Sequence, residues 1–223
     1  MLKRGLRGKV SVMMFSATEW LRFGGRRAAL TTMAGLALAG AGACGGQIEN
    51  GTSPVFAVVE SLDAAQGNEP NTFSTVLQSD VQTEGSVFED LGRIAIRLGF
   101  KDPGSFDTPT NATSANFVKF TRYRVVYRRS DGRNTEGVDV PYSFDGAVTI
   151  SVNSQGQIRT AAFTIVRAQA KLEPPLIALS GLGGRVAIST FADVTFFGQD
   201  TTGHDVTATA SISVNFADWA DPE

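Results

Sequence analysis

The side chains that could do chemistry are few in this sequence and badly spaced for it. Its sole histidine, His204, stands between Gly203 and Asp205 in GQDTTGHD, a run of turn formers. A Ser-His-Asp arrangement would need that imidazole as its base. No G-x-S-x-G elbow is present, and a turn tip shields a base poorly. Zinc takes several nitrogen or sulfur ligands. The sole cysteine, Cys44, lies 160 residues from His204, so no zinc site is expected. Calcium prefers clustered oxygens, and two loops offer them: Asp200 with Asp205, and Asp131, Asn134, Glu136 and Asp139 in RSDGRNTEGVD. Neither has the EF-hand spacing, and Asp, Asn and Gly at this density first of all make turns. Gly181-Leu182-Gly183-Gly184 leads into a strand-like run, the reverse of a phosphate-binding loop. No two carboxylates stand out as the acid and base of a glycosidase. The expectation is therefore no catalytic residue, no metal and no cofactor.

One stretch concentrates charge. Five arginines fall in the fifteen residues from Phe120 to Asn134, FTRYRVVYRRSDGRN. Strand periodicity puts Thr121, Tyr123, Val125 and Tyr127 on one face, and Phe120, Arg122, Arg124, Val126 and Arg128 on the other. The first set suits a core with two phenol tips that need partners. The second makes an arginine ridge at Arg122, Arg124 and Arg128. Such a ridge could grip a polyanion, lipid headgroups or acidic glycan, or it could answer acids on adjacent strands. Residues 44–92 hold eight acids and no lysine or arginine; six more acids follow Arg185, again with no basic residue. That inventory favours cross-strand pairing, which specifies register as much as stability. No nucleic acid is expected, because the arginine face interleaves no aromatic except Phe120. Residues 44–223 also carry 13 basic against 21 acidic side chains.

Strands must position these residues, because period-2 alternation dominates the chain. In Val206–Phe216, the residues Val206, Ala208, Ala210, Ile212, Val214 and Phe216 face one way, while Thr207, Thr209, Ser211, Ser213 and Asn215 face the other. Arg185–Phe197 alternates likewise, with Val186, Ile188, Thr190, Ala192, Val194 and Phe196 inward, and the two runs read as a hairpin. Further strands are expected at Val55–Glu60, Phe73–Gln82, Arg93–Leu98, Phe117–Arg129, Ser143–Val152 and Ile158–Arg167. One short helical turn is expected at Pro175–Ser180, with proline at its start and Gly181 just past its end. Lys101–Asn116 reads as a polar loop. The fold class is all-β: an antiparallel β-sandwich of about eight strands over residues 54–217, followed by a C-terminal tail at 218–223.

The N-terminus differs from the rest. Seven basic residues and one acid fall in residues 1–27, and Ala28–Ala43 is an uncharged apolar run rich in small residues. That is the pattern of a helical secretory signal at 1–43, too short for a spanning helix. Ala41-Gly42-Ala43-Cys44 resembles the lipobox of bacterial lipoproteins. The resemblance implies lipid on Cys44, a tether at 44–53 and attachment to a membrane. Gly45, where an Asp resembles an inner-membrane retention signal, implies an outer-membrane or surface address. Plain cleavage after Ala43 would instead give a periplasmic or secreted protein. The last hairpin, FFGQDTTGHDVTATASISV, resembles the closing strands of immunoglobulin-like and fibronectin-III-like modules, which implies a binding or structural role. The expectation is a lipid-anchored, non-enzymatic extracytoplasmic module whose partner is an envelope protein or a glycan. The alternative is an envelope enzyme or carrier acting on glycan or a small ligand.

Overall fold

The computed structural model describes residues 51–219 apart from 112, 114, 115, 154 and 155. Eight strands form: β1 (Val55–Ala65), β2 (Val76–Asp80), β3 (Asp90–Phe100), β4 (Val118–Arg128), β5 (Phe144–Val152), β6 (Arg159–Val166), β7 (Ile188–Asp200) and β8 (Asp205–Ala217). A single helical turn, α1 (Ala168–Lys171), and a 3₁₀ turn at Leu176–Leu179 separate β6 from β7. The 3₁₀ turn falls inside the expected Pro175–Ser180. By contrast α1 has no counterpart in the sequence expectation, because it follows a strand without a capping side chain.

The strands form two sheets, β1-β3-β6 and β2-β8-β7-β4-β5. Every pair is antiparallel except β2 with β8, where Val76 to Asp80 run parallel to Ser213 to Ala217. This corrects the purely antiparallel sandwich expected from sequence. β1 and β8 run the same way and pack on each other. After β1 the chain doubles back, Ser74 pairing antiparallel with Ala64, before β2 runs alongside β8 in parallel.

Alternation drives the packing. On β8 Val206, Ala208, Ile212, Val214 and Phe216 are buried, whereas Thr207, Thr209 and Ser211 are exposed. Phe120, Phe196 and Phe216 are fully buried, each worth about 1.5–3 kcal/mol relative to exposure. Phe163 of β6 reaches across to the five-stranded sheet, edge-on to Tyr123 at 5.0 Å and to Phe196 at 5.1 Å between ring centres. The Tyr127 hydroxyl donates to the Ile165 carbonyl at 2.6 Å, joining the sheets. Burial pushes its phenol far above the ordinary value, so it stays a donor at any working pH.

On β4 the expected faces need correcting. Pairing with both neighbours slips between Phe120 and Arg122: against β7 the extra residue is Thr121, a β-bulge, whereas against β5 the extra residue lies on β5 between Ala147 and Ile150. The extra residue on β4 reverses the alternation on one side of it. Phe120 is therefore 0% exposed and in the core, not on the arginine face, and Thr121 is exposed. Lys119 turns outward with the arginines. Burying a phenyl ring rather than an ammonium decides the matter.

One polar cluster lies inside. The Asp90 and Lys171 side chains are 0% and 2% exposed, with Nζ 2.9 Å from Oδ1. Ser79 donates to the other carboxylate oxygen at 2.6 Å, and the Gly67 N–H donates at 2.9 Å. Burial pushes the Asp90 carboxyl upward, while Lys171, Ser79 and Gly67 hold it down. Removing one partner of such a pair strands the other. Lys171→Met should accordingly cost about 3–5 kcal/mol. Adding Asp90→Asn, which keeps acceptors for Ser79 and Gly67, should recover more than half of that loss in chemical denaturation.

Candidate functional site on the five-stranded sheet

The outer face of this sheet carries the arginine ridge, and the bulge sets its geometry. Arg122 Nη1 lies 3.0 Å from Asp145 Oδ1, and Arg124 Nη1 lies 3.7 Å from Asp145 Oδ2. Arg124 also donates to the Ser143 hydroxyl at 3.3 Å. Arg128 Nε is 2.7 Å from Asp193 Oδ2. Two guanidinium groups lie over rings, Arg122 on Phe197 at 4.1 Å and Arg128 on Phe191 at 5.0 Å. Asp193 comes from the acidic stretch after Arg185. Asp145, on β5, belongs to neither acidic stretch. Glu60 and Asp63 of the first stretch pair instead with Arg97 and Arg93 on the three-stranded sheet. The structure thus brings each ridge arginine to a carboxylate, with all three side chains about half exposed.

Between the bulge and the β7–β8 turn the same face is concave. A cavity of about 470 Å³ is lined by Lys119, Thr121, Arg122, Phe197, Gln199 and Asp205 among others. A neighbouring hollow of about 350 Å³ shares Lys119 and Gln199 and adds Phe117 and Ser151. Lys119 makes no hydrogen bond or ion pair with any described residue, unlike the three arginines. The Gln199 amide donates to Asp205 Oδ1 at 3.0 Å. Sequence periodicity conceals Lys119, because strict alternation from Arg122 places it on the core side.

Asp200 forms the end wall of both hollows. Its carboxylate accepts the Thr202 hydroxyl at 2.6 Å, the Thr202 N–H at 2.9 Å and the His204 N–H at 3.0 Å. The Ser53 hydroxyl bonds it as well. Burial works to raise this carboxyl, but the hydrogen bonds from Thr202, Ser53 and His204 outweigh it and bring it down to about 2. His204 Nδ1 sits 3.4 Å from Asp200 and 2.8 Å from Thr202 Oγ1. Serine, acid and imidazole meet here with the acid in the middle. Nothing in that order lets the imidazole take a proton from Ser53, so it builds a turn rather than a nucleophile.

The other expected positions have local roles. Asp131 receives Arg129 and Arg133, whose hydrogen bonds hold its carboxyl well below the usual range. Asn134 accepts the Arg129 N–H, Glu136 the Ser143 N–H and Asp139 the Thr135 N–H. Their oxygens close the β4–β5 loop. Among the described residues no three His, Cys, Asp or Glu side chains cluster as metal ligands. Cys44 and Ala41-Gly42-Ala43 lie outside the described residues. No protein-family model matches the chain, and no curated protein does.

Two outcomes follow from these contacts. Each exposed ion pair is weak, so Arg122→Gln, Arg124→Gln or Arg128→Gln alone should cost under about 1 kcal/mol. The triple change should cost more, by an amount that shrinks in high salt when melting temperatures are compared. Asp200 should behave differently. Its folded pKa near 2 lies below the ordinary 3.8, so its contribution is fully present above about pH 4 and disappears as pH falls through 2. Asp200→Asn should lower stability by on the order of 2 kcal/mol at pH 7. The gap to wild type should close between about pH 4 and 2, and a gap constant with pH would reject this account.

Proposed function

We propose that this chain is a non-enzymatic binding or structural module of the cell envelope, anchored by lipid on Cys44. The observation that carries the reading is the filled interior. Tyr123, Tyr127, Phe163 and Phe196 occupy the space between the sheets where a carrier would hold its ligand. The groups able to recognise a partner stand instead on the outer face, around Lys119 and Arg122. Among the described residues no helix is long and apolar enough to cross a membrane. The basic flank and apolar run before Cys44 support attachment through the N-terminus, at the outer membrane or cell surface.

Strand order supports an immunoglobulin-like assignment. With the strands lettered A, A′, B, C, C′, E, F and G in chain order, the sheets become A-B-E and A′-G-F-C-C′. That resembles the immunoglobulin division, in which a C-F-G sheet with added C′ packs on a sheet containing A, B and E. The short parallel A′–G pair, β2 with β8, belongs to the same pattern here. Such modules present faces and loops to partners rather than enclose substrates.

The test is the intact mass of the protein purified from membranes. A chain beginning at Cys44 and heavier by a lipid is expected, and Cys44→Ala should move the protein to the soluble fraction. An unmodified Cys44, or a retained residue 1–43, removes the anchor from the proposal.

A further inference from the structure

We infer that the cavity beside the β4 bulge binds a carboxylated saccharide, Lys119 and Arg122 taking the carboxylate and Asp205 and Gln199 the hydroxyls. This ligand class presupposes that the chain is a binding module, as proposed, and gives that module its chemistry. The volume, about 470 Å³, falls in the range of small-ligand sites. Its walls are chemically unlike. On the β4 side an ammonium without a partner among the described residues stands beside a guanidinium. Of the five N–H groups of Arg122, one hydrogen-bonds Asp145. Both groups would form charge-assisted bonds to a carboxylate. Across the hollow, the Gln199 amide takes one of the roughly four acceptor directions of the Asp205 carboxylate. Acceptors in that position suit hydroxyl donors.

A ligand for this hollow must therefore carry an anion at one end and hydroxyls at the other. Acidic sugars do. Phosphate-rich surfaces fit less well, because Asp205 and Asp145 border the cations and the chain beyond residue 43 is acidic overall. The neighbouring hollow of about 350 Å³ extends the site past Lys119. There Phe117, 40% exposed, offers a ring to the apolar face of a second sugar, and Ser151 a hydroxyl. The bulge is what makes the site possible. Without it Lys119 and Arg122, three positions apart, would point to opposite faces of the sheet.

Titration calorimetry on the purified full-length chain in detergent tests this. The probes are disaccharides containing galacturonate, glucuronate or sialic acid, each paired with its neutral methyl ester. At least one acid should bind, more tightly than its ester and less tightly as salt rises. Lys119→Gln should weaken it by ~10-fold or more, and Asp205→Asn should weaken acid and ester alike. Arg97→Gln, on the three-stranded sheet, should leave binding unchanged. Failure of all three acids to bind, equal binding of acids and esters, or indifference to Lys119→Gln would each overturn the site. Binding through Lys119 only to phosphatidylglycerol vesicles would overturn it in favour of headgroups. Lipid-free Cys44 with sugar bound through Lys119 supports the site and overturns the anchor alone. A lipidated chain that binds no sugar overturns the site alone. Release of reducing ends from a bound disaccharide supports the site while removing the non-enzymatic assignment.

Discussion

A carboxylate sealed from water constrains everything around it, and Asp90 sits where four pieces of chain meet. It opens β3, accepts from Ser79 of β2 and from Gly67 in the β1–β2 loop, and faces Lys171 of α1. Two of these pieces are weak alone. β2 is five residues long, paired on one side only, and α1 is a single turn, far below the length at which a helix is stable in water. Apolar contact would hold them somewhere, but not uniquely. Displacing either leaves Asp90 or Lys171 buried without its partner, which costs several kcal/mol. The pair selects one arrangement more than it adds net stability, since apolar groups of the same shape could match its energy.

Most of the strands are legible in the sequence because they present one apolar and one polar face; β2, with Val76 exposed and Ser79 and Asp80 buried, does not. What alternation misreads is parity across a bulge. In β4 the buried residues are Val118 and Phe120, then Tyr123, Val125 and Tyr127. The switch from even to odd numbers is visible in the sequence, and it marks the bulge at Thr121. β1 does the same, with Val55, Ala57 and Val59 inward before Glu60 and Leu62 and Ala64 after it. Reading the switch would have placed Lys119 outward with Arg122, and with it the concave part of the candidate site. Asp90 and Lys171 carry no such signal. They are 81 residues apart, and nothing local distinguishes Lys171 from a solvated lysine. The parallel β2 is likewise set by the crossing between sheets, not by its own residues.

Glycines inside strands would ordinarily weaken them. Four of these glycines stand directly opposite an aromatic residue: Gly99 and Phe56, Gly92 and Phe163, Gly146 and Tyr123, Gly198 and Phe120. In each case the ring lies over the glycine so closely that a methyl group there would overlap it. The ring covers backbone that glycine leaves bare, an arrangement that also pins register. Gly198 ties this device to the candidate site. Its lack of a side chain admits Phe120 to the core. With Phe120 inward, the chain must bulge at Thr121 to bring Tyr123 inward too, and Lys119 is left facing water.

Asp200 joins that face to the segment through which the described chain begins. Ser53 bonds its carboxylate, Lys101 N–H reaches the Pro54 carbonyl at 2.9 Å, and Thr201 N–H reaches the Phe117 carbonyl at 3.1 Å. These bonds fix residues 53–54, the start of β4 and the β7–β8 turn as one unit. The same carboxylate walls the two hollows, so their shape depends on the hydrogen bonds that anchor the incoming chain. Because Asp200 remains ionised down to about pH 2, the link holds at any pH above that. Residues 53–54 and the outer face of the five-stranded sheet are therefore joined by local polar contacts, right beside Val55, which enters the core, while the apolar interior holds the sheets as a rigid support behind them.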